Sequence, residues 1–351
     1  MADGGGDAPR AAAPDDARTS PNTPAAGNGS SGPASRTTSF ADVFDAVCRN
    51  LTSVIRGKDQ VVQLAVLCMV AEGHLLIEDV PGVGKTTLAK ALARTVRASF
   101  GRIQFTPDLL PSDVVGTSVW NQRDASFEFR HGPIFANLVL ADEINRGHPK
   151  TQSALLEAMA EEQVTVDGTT YRLARPHMVI ATQNPIEHHG TYPLLESQLD
   201  RFLMKLSVGY PDRADELSIL EARSDGDSVA GVSPVVESSH VIAMIDYCRR
   251  VHVSPALASY LVDLGNASRT NRHLNLGISP RALLGLQRAI RVRAAVGGRS
   301  YATPDDVKAL AEPVLAHRLI VRTESQVQGV TSHDVLTDIL RTVAVPADVT
   351  A

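Results

Sequence analysis

Two short strings carry the residue types that phosphoryl transfer needs: Asp79-Val80-Pro81-Gly82-Val83-Gly84-Lys85-Thr86-Thr87 and Leu138-Val139-Leu140-Ala141-Asp142-Glu143. In the first, Gly82 and Gly84 can adopt positive φ and let bare backbone N–H groups converge on a phosphate at the positive end of a following helix. Lys85 then supplies a point charge for the β and γ phosphates, and Thr86 a hydroxyl ligand for magnesium. In the second, a buried-strand run ends in two carboxylates. Asp142 is expected to hold the metal through water, and Glu143, one residue on and pointing differently, to polarise an attacking water as general base. Either string alone has an ordinary explanation, a strand-to-helix turn or a solvated strand end. In this order, with Asp142 57 residues after Lys85 (142 minus 85), they imply a site for ATP and Mg2+. The first string departs from the full P-loop pattern at one place, where Asp79 replaces the opening glycine.

Such residues need a strand, a loop and a helix to position them. Leu75-Leu76-Ile77 precedes the first string and a helical pattern, Thr87 to Arg94, follows it. From Phe40 to Tyr210, helices alternate with short buried strands at Leu75–Ile77, Arg102–Phe105, Leu138–Ala141, Met178–Thr182 and Phe202–Leu206. That alternation predicts an α/β fold, a parallel sheet covered by helices with the nucleotide at its carboxyl edge. Val115–Arg130 and Val164–Leu173 break the rhythm and each reads as a β-hairpin, the second turning at Asp167-Gly168. Beyond Pro211 the strands are expected to stop. Helical periodicity then runs through Leu217–Ala222, Val241–Val251, Pro255–Asn266, Pro280–Ala295 and Pro304–Leu315, with a polar loop from Ser224 to Gly231. The chain therefore divides into an arm, residues 1–38, a nucleotide-binding α/β domain, 39–210, and a smaller all-α domain with a C-terminal tail, 211–351.

The arm is Ala, Gly, Pro, Ser and Asp with hardly a large apolar residue, so it is expected to be disordered, and folding to begin at a cap on Ser39. At 351 residues, 43% hydrophobic and 21% charged, the rest is ordinary globular material. A net charge of -5 gives no general attraction for nucleic acid or an anionic membrane. The apolar stretch Val61–Ala71 is interrupted by Gln63 and is too short to span a bilayer, and no signal segment opens the chain, so a cytoplasmic location is expected. Cys48, Cys68 and Cys248 match neither a disulfide framework nor a zinc pattern and read as reduced, mostly buried thiols.

A helical domain after a nucleotide sheet raises the expectation that the nucleotide lies between the two. Asn184 follows the buried run Val179–Thr182, where its amide can orient the water or read the γ phosphate; the alternative is an Asn-Pro turn. Arg281 stands in Ser279-Pro280-Arg281, a capped first helical turn where a cation opposes the helix dipole unless an anion such as phosphate offsets it; the alternative is a solvated arginine. Arg201, in Gln198-Leu199-Asp200-Arg201-Phe202, suits an arginine supplied across a subunit boundary, against a local ion pair with Asp200 or Glu196. Arg146 is a second interface candidate. His188-His189 reads as part of a Gly-Thr-Tyr-Pro loop and not a metal site, and Trp120, the only tryptophan, as hairpin packing with a client contact as the alternative.

With the P-loop, Ala141-Asp-Glu-Ile-Asn-Arg146, Ala181-Thr-Gln-Asn-Pro185, Gln198-Leu-Asp-Arg-Phe202 and Ser279-Pro-Arg281 in one order, the chain resembles MoxR-family AAA+ ATPases from about Phe40 to Val345. The resemblance implies sensor 1 at Asn184, sensor 2 at Arg281 and an arginine finger at Arg201. It also implies a segment flanking adenine at Val54-Ile-Arg-Gly57, and makes the two hairpins the helix-2 and pre-sensor-1 inserts. Leu195 stands where a proline is common. By resemblance the chain forms a homo-oligomeric ring, usually a hexamer, that remodels or matures client complexes, often with a von Willebrand factor A domain protein. Three other readings stay open. A nucleic-acid motor needs basic insert tips, whereas these read Asn121-Gln-Arg-Asp124 and Val166-Asp-Gly-Thr169. A metal chelatase motor subunit differs mainly in its client. A non-catalytic nucleotide-dependent scaffold has no need of Glu143.

Overall fold

The fold starts where the sequence places a cap: Ser39 accepts from the Asp42 amide and Asp42 answers to the Ser39 amide, opening α1 (Phe40–Thr52). The structure, a computed structural model, describes residues 39–185, 190–222 and 231–346, all within one compact unit, Thr38–Ala351. The arm, His188-His189 and most of the Ser224–Gly231 loop lie outside the described residues. After α1 come α2 (Asp59–Val70), β1 (Leu75–Glu78), α3 (Lys85–Thr95), β2 (Phe100–Gln104) and the short α4 (Pro111–Val115). A first hairpin pairs β3 (Gly116–Asn121) with β4 (Ser126–His131), and β5 (Leu138–Asp142) leads into α5 (Pro149–Glu161). A second hairpin pairs β6 (Gln163–Val166) with β7 (Thr169–Arg172), followed by β8 (Met178–Gln183), α6 (Glu196–Leu199) and β9 (Met204–Leu206). The remainder is α7 (Arg213–Ala222), α8 (Ser238–Arg249), α9 (Pro255–Arg269), β10 (Leu274–Leu276), α10 (Pro280–Val296), α11 (Pro304–Leu315), β11 (Ile320–Val321), α12 (Thr323–Val327) and α13 (Ser332–Thr342).

Five strands form one parallel sheet in the order β2-β5-β8-β1-β9. Their side chains point alternately to two apolar layers. Leu75, Ile77, Leu138, Leu140, Met178 and Ile180 face a core built with α1, α2, α3 and the later helices. Leu76, Val139, Ala141, Val179 and Ala181 face a second core with α5 and the roots of both hairpins. Both faces being covered is why these strands read as unbroken apolar runs. Both predicted hairpins form, and Phe129 of the first stacks on Tyr171 of the second at 4.4 Å. All three cysteines are free and buried.

Strands do not stop at Pro211. The helical half also holds β10 and β11, antiparallel with Leu274 opposite Val321. They are three and two residues long, too short for an alternating pattern to register in the sequence. Among the described residues no helix is long and apolar enough to cross a membrane.

At the amino end of the sheet, His74 is locked as a neutral ring. The Val179 amide donates to its Nδ1 at 3.0 Å and its Nε2 donates to the Met159 carbonyl at 3.2 Å. Burial, with His177 alongside, pushes His74 down to about 3, and burial pushes His177 down to about 4. Both folded values lie below the ordinary 6.5, so as pH falls through that value the unfolded rings take up protons that the native rings refuse. Stability is therefore expected to fall as pH drops from about 6.5 toward about 4 for His177 and about 3 for His74, by at most about 1.4 kcal/mol per pH unit for each ring. Urea unfolding across this window checks it, and His74→Gln is expected to flatten the dependence.

Candidate active site

The loop after β1 takes the shape its glycines allow. Gly82 and Gly84 have φ of 89° and 90°, and Gly84 caps α3. A Cβ on either would meet nothing within 4 Å, so glycine is required there by backbone conformation and not by space. Lys85 and Thr86 open α3, where the free amides of its first turn gather. Lys85 is buried and its Nζ donates to the Asp79 carbonyl at 2.7 Å. Val80, Pro81 and Val83 complete the loop, and Thr87 is the third residue of α3.

Asp79 does not face the loop interior. Its Oδ2 accepts from Ser207 Oγ at 3.0 Å and from the Val208 and Gly209 amides, each at 2.6 Å, while Oδ1 accepts from the Val80 amide at 2.8 Å. Burial alone would raise its pKa, but these donors outweigh it and hold the carboxyl below its ordinary value.

A polar row crosses the carboxyl edge of the sheet because register aligns Gln104 of β2 with Asp142 of β5, and Thr182 of β8 follows the Ala141–Ala181 pair. Thr182 Oγ1 donates to Asp142 Oδ1 at 2.7 Å and accepts from the Glu143 amide at 2.9 Å. Arg102 Nη2 donates to Asp142 Oδ2 at 2.8 Å. Gln104 Nε2 donates to Glu143 Oε2 at 3.0 Å, and Arg146 pairs with the same oxygen at 3.5 Å. Glu143 has φ of 55°, which turns its side chain away from the strand's alternation. Asn184, buried just after β8, lies at this same edge, and its carbonyl accepts from Asn145 Nδ2 at 3.4 Å. Hard oxygen donors on Thr86 and Asp142 fit magnesium, and the glycine turn fits a phosphate. Arg102, Gln104 and Thr182 were missed by sequence reasoning. The signal for the first two was a charged or polar residue on either side of Ile103 in a strand beside Asp142.

Arg201 and Arg281 lie elsewhere. They share a recess with Gly73, His74, Arg288 and Arg318, at the end of β1 opposite the loop, so the four residues of β1 at about 3.3 Å each separate them from Lys85. Buried Arg318 organises this end. Its Nε donates to Asp200 Oδ1 at 2.8 Å, and its other nitrogens reach the Phe202 carbonyl at 2.6 Å and the Leu203 carbonyl at 3.2 Å. Asp200 also accepts from Ser279 Oγ at 3.0 Å, and Ser279 caps α10, whose second residue is Arg281. The local alternative for Arg201 is thereby accounted for: Asp200 is taken by Arg318, and Arg201 Nη1 donates to the Leu156 carbonyl at 2.5 Å. Arg281 is exposed and has no ion-pair partner among the described residues.

Residues 74–204 match the ATPase family associated with various cellular activities (AAA), and residues 266–339 match the AAA lid domain. The chaperone MoxR1 of Mycobacterium tuberculosis is 40% identical over 302 residues, covering 84% of this chain and 80% of that protein. The chain belongs to the MoxR family of AAA+ ATPases. The uncharacterised protein YeaC of Bacillus subtilis is 44% identical over 297 residues, 85% of this chain and 93% of its own. A crystal structure from Cytophaga hutchinsonii, of a protein provisionally described as an ATPase, superposes with a TM-score of 0.82 at 37% identity, covering 88% of this chain and 96% of that one. In this MoxR-family chain Asp79–Thr87, Asp142, Glu143, Asn184 and Arg201 fall in the AAA match, whereas Arg281 and Arg318 fall in the lid match. The basic recess is thus built from both.

Lys85→Ala is expected to weaken ATP binding about a hundredfold, roughly 2.8 kcal/mol, in a fluorescent-nucleotide titration. Arg318→Met leaves Asp200 as an uncompensated, partly buried charge and is expected to destabilise the fold by about 3 kcal/mol in denaturant unfolding.

Proposed function

We propose that this MoxR-family chain hydrolyses ATP with magnesium in a homo-oligomeric ring, a hexamer by family resemblance, and uses the cycle to remodel or mature a client protein complex, with a von Willebrand factor A domain protein as partner. The observation that carries the ring is the separation of Arg201 and Arg281 from Lys85 by the length of β1. A phosphate on one subunit's loop is out of reach of that subunit's Arg201 and Arg281, and a neighbour's recess can supply them. The chaperone named among the relatives supports the remodelling role.

In this reading the amides at the start of α3 and Lys85 grip the β and γ phosphates. Thr86 and Asp142 hold magnesium, which supplies positive charge to the phosphate oxygens. Glu143 accepts the proton of the attacking water, with its carboxylate aimed by Gln104 and its backbone by Thr182. Asn184 orients that water from the end of β8. Arg201 and Arg281 stabilise the charge that develops on the neighbour's γ phosphate. The domain that binds nucleotide spans 39–210 and the lid 211–351. A nucleic-acid role gains nothing from the first hairpin's tip, where Asn121 Nδ2 donates to Asp124 at 2.8 Å and one arginine, Arg123, stands beside that aspartate.

Glu143→Gln is expected to keep nucleotide binding while lowering turnover at least about a hundredfold. Arg201→Ala is expected to lose turnover by about a thousandfold, in the range of a lost arginine finger. Mixing the two restores part of the hydrolysis, since each subunit contributes what the other lacks. Steady-state phosphate release over a range of mixing ratios is the test, and no restoration at any ratio would rule out action between subunits.

A further inference from the structure

The residue that breaks the P-loop pattern holds two parts of the molecule at once. Through its backbone, Asp79 accepts the Lys85 ammonium at 2.7 Å and donates to the Gln183 carbonyl at 3.1 Å. Through its side chain it gathers three donors from Ser207, Val208 and Gly209, the segment that leaves β9 for the lid helices. Gly209 has φ of 66°, a left-handed turn, and Lys58 Nζ fastens the next residue by donating to the Tyr210 carbonyl at 2.9 Å. A Cβ on Gly57 would lie 1.7 Å from Asp215 Oδ2, so the segment before α2 also touches the first turn of α7. A glycine at position 79 could make none of the side-chain bonds.

We propose that Asp79 is a positioning residue that couples the phosphate loop to the linker of the lid. The proposal rests on the reading that Lys85 binds the phosphates of ATP. A phosphate draws on the same three-donor ammonium that holds the Asp79 carbonyl. Any shift of residue 79 as the ammonium turns toward the phosphate moves a carboxylate bound to two consecutive linker amides. An Asp79 side chain held by charge-assisted bonds of 2.6 Å is a stiff connection, and the linker it grips has no other side-chain acceptor among the described residues for those two amides. Loop occupancy is thereby converted into a change in linker geometry, and the lid follows.

Amide hydrogen exchange over residues 207–222 of the full chain tests this, with and without saturating AMP-PNP and magnesium, so that a change in affinity does not enter. In the wild type the nucleotide is expected to change exchange at Val208 and Gly209 about tenfold. In Asp79→Gly those amides are expected to exchange about tenfold faster without nucleotide, and the nucleotide no longer alters them. Ser207→Ala leaves the loop sequence untouched and is expected to give an intermediate loosening of about threefold, which keeps the test open should Asp79→Gly fail to fold. Wild-type exchange in either variant, or an Asp79→Gly linker that still responds to nucleotide, overturns the coupling. So does an Asp79→Gly protein that is folded but cannot be saturated, because Asp79 would then determine binding itself. A wild type that does not bind AMP-PNP sinks the ATPase reading, whereas one that binds with an unresponsive linker sinks only the coupling.

Discussion

Arg318 is the side chain on which the arrangement of the second half depends. It is buried, yet each nitrogen of its guanidinium meets an acceptor: the Asp200 carboxylate and the carbonyls of Asp200, Phe202, Leu203 and Val314. Burying such a cation costs several kcal/mol, and only a near-complete set of acceptors offsets that cost. The acceptors come from the turn between α6 and β9 and from the end of α11, so satisfying one arginine joins the last sheet strand to the lid. Asp200 extends the connection to the Ser279 cap, and the first turn of α10 inherits its position from there. Two exposed or half-exposed arginines, Arg201 and Arg281, are therefore held beside each other by a pair that neither of them belongs to.

A parallel sheet has two unlike ends, and this chain uses both. At the carboxyl ends of the strands, chain direction brings the β1 loop, Asp142, Glu143 and Asn184 to one edge. At the amino ends, space around Gly73 and His74 is left to arginines from elsewhere. Gly73 and Gly285 make this possible, since a Cβ on either would meet the Leu203 side chain at under 3.0 Å. The lid is drawn onto α1, α2 and β9, sharing one continuous apolar layer with them through residues such as Leu257, Leu286 and Leu310. That packing sets Arg281 against the amino end of the sheet and away from the phosphate loop.

What could be read from the sequence was what local physics decides. Strands buried on both faces announce themselves as apolar runs, glycines mark the phosphate turn, and Asp167-Gly168 marks a hairpin. β2 begins two residues before its expected start because Phe100 and Gly101 pair with Leu138 and Val139, which is a tertiary fact. The nucleotide was expected to lie between the two halves with Arg281 facing it. That expectation misjudged where Arg281 sits, because periodicity locates helices along the chain and says nothing about which side of the sheet they settle on. Gln104, Thr182 and Arg318 were invisible for the same reason, as each is defined by a partner 39 or more positions away.

Asp79 illustrates how a local pattern and a tertiary demand divide one position. A loop motif is a statement about backbone conformation, and at residue 79 no positive φ is required, whereas Gly82 and Gly84 do require it. The position is thus free to carry a side chain. What that side chain should be is decided by the neighbouring linker, whose Val208 and Gly209 amides leave the sheet at β9 with no further strand to pair with. Buried amides without acceptors are costly, and a carboxylate serves two of them with one oxygen. The departure from the motif is therefore a consequence of β9 being an edge strand beside β1. Any change that restores glycine at position 79 must leave those two amides to find water.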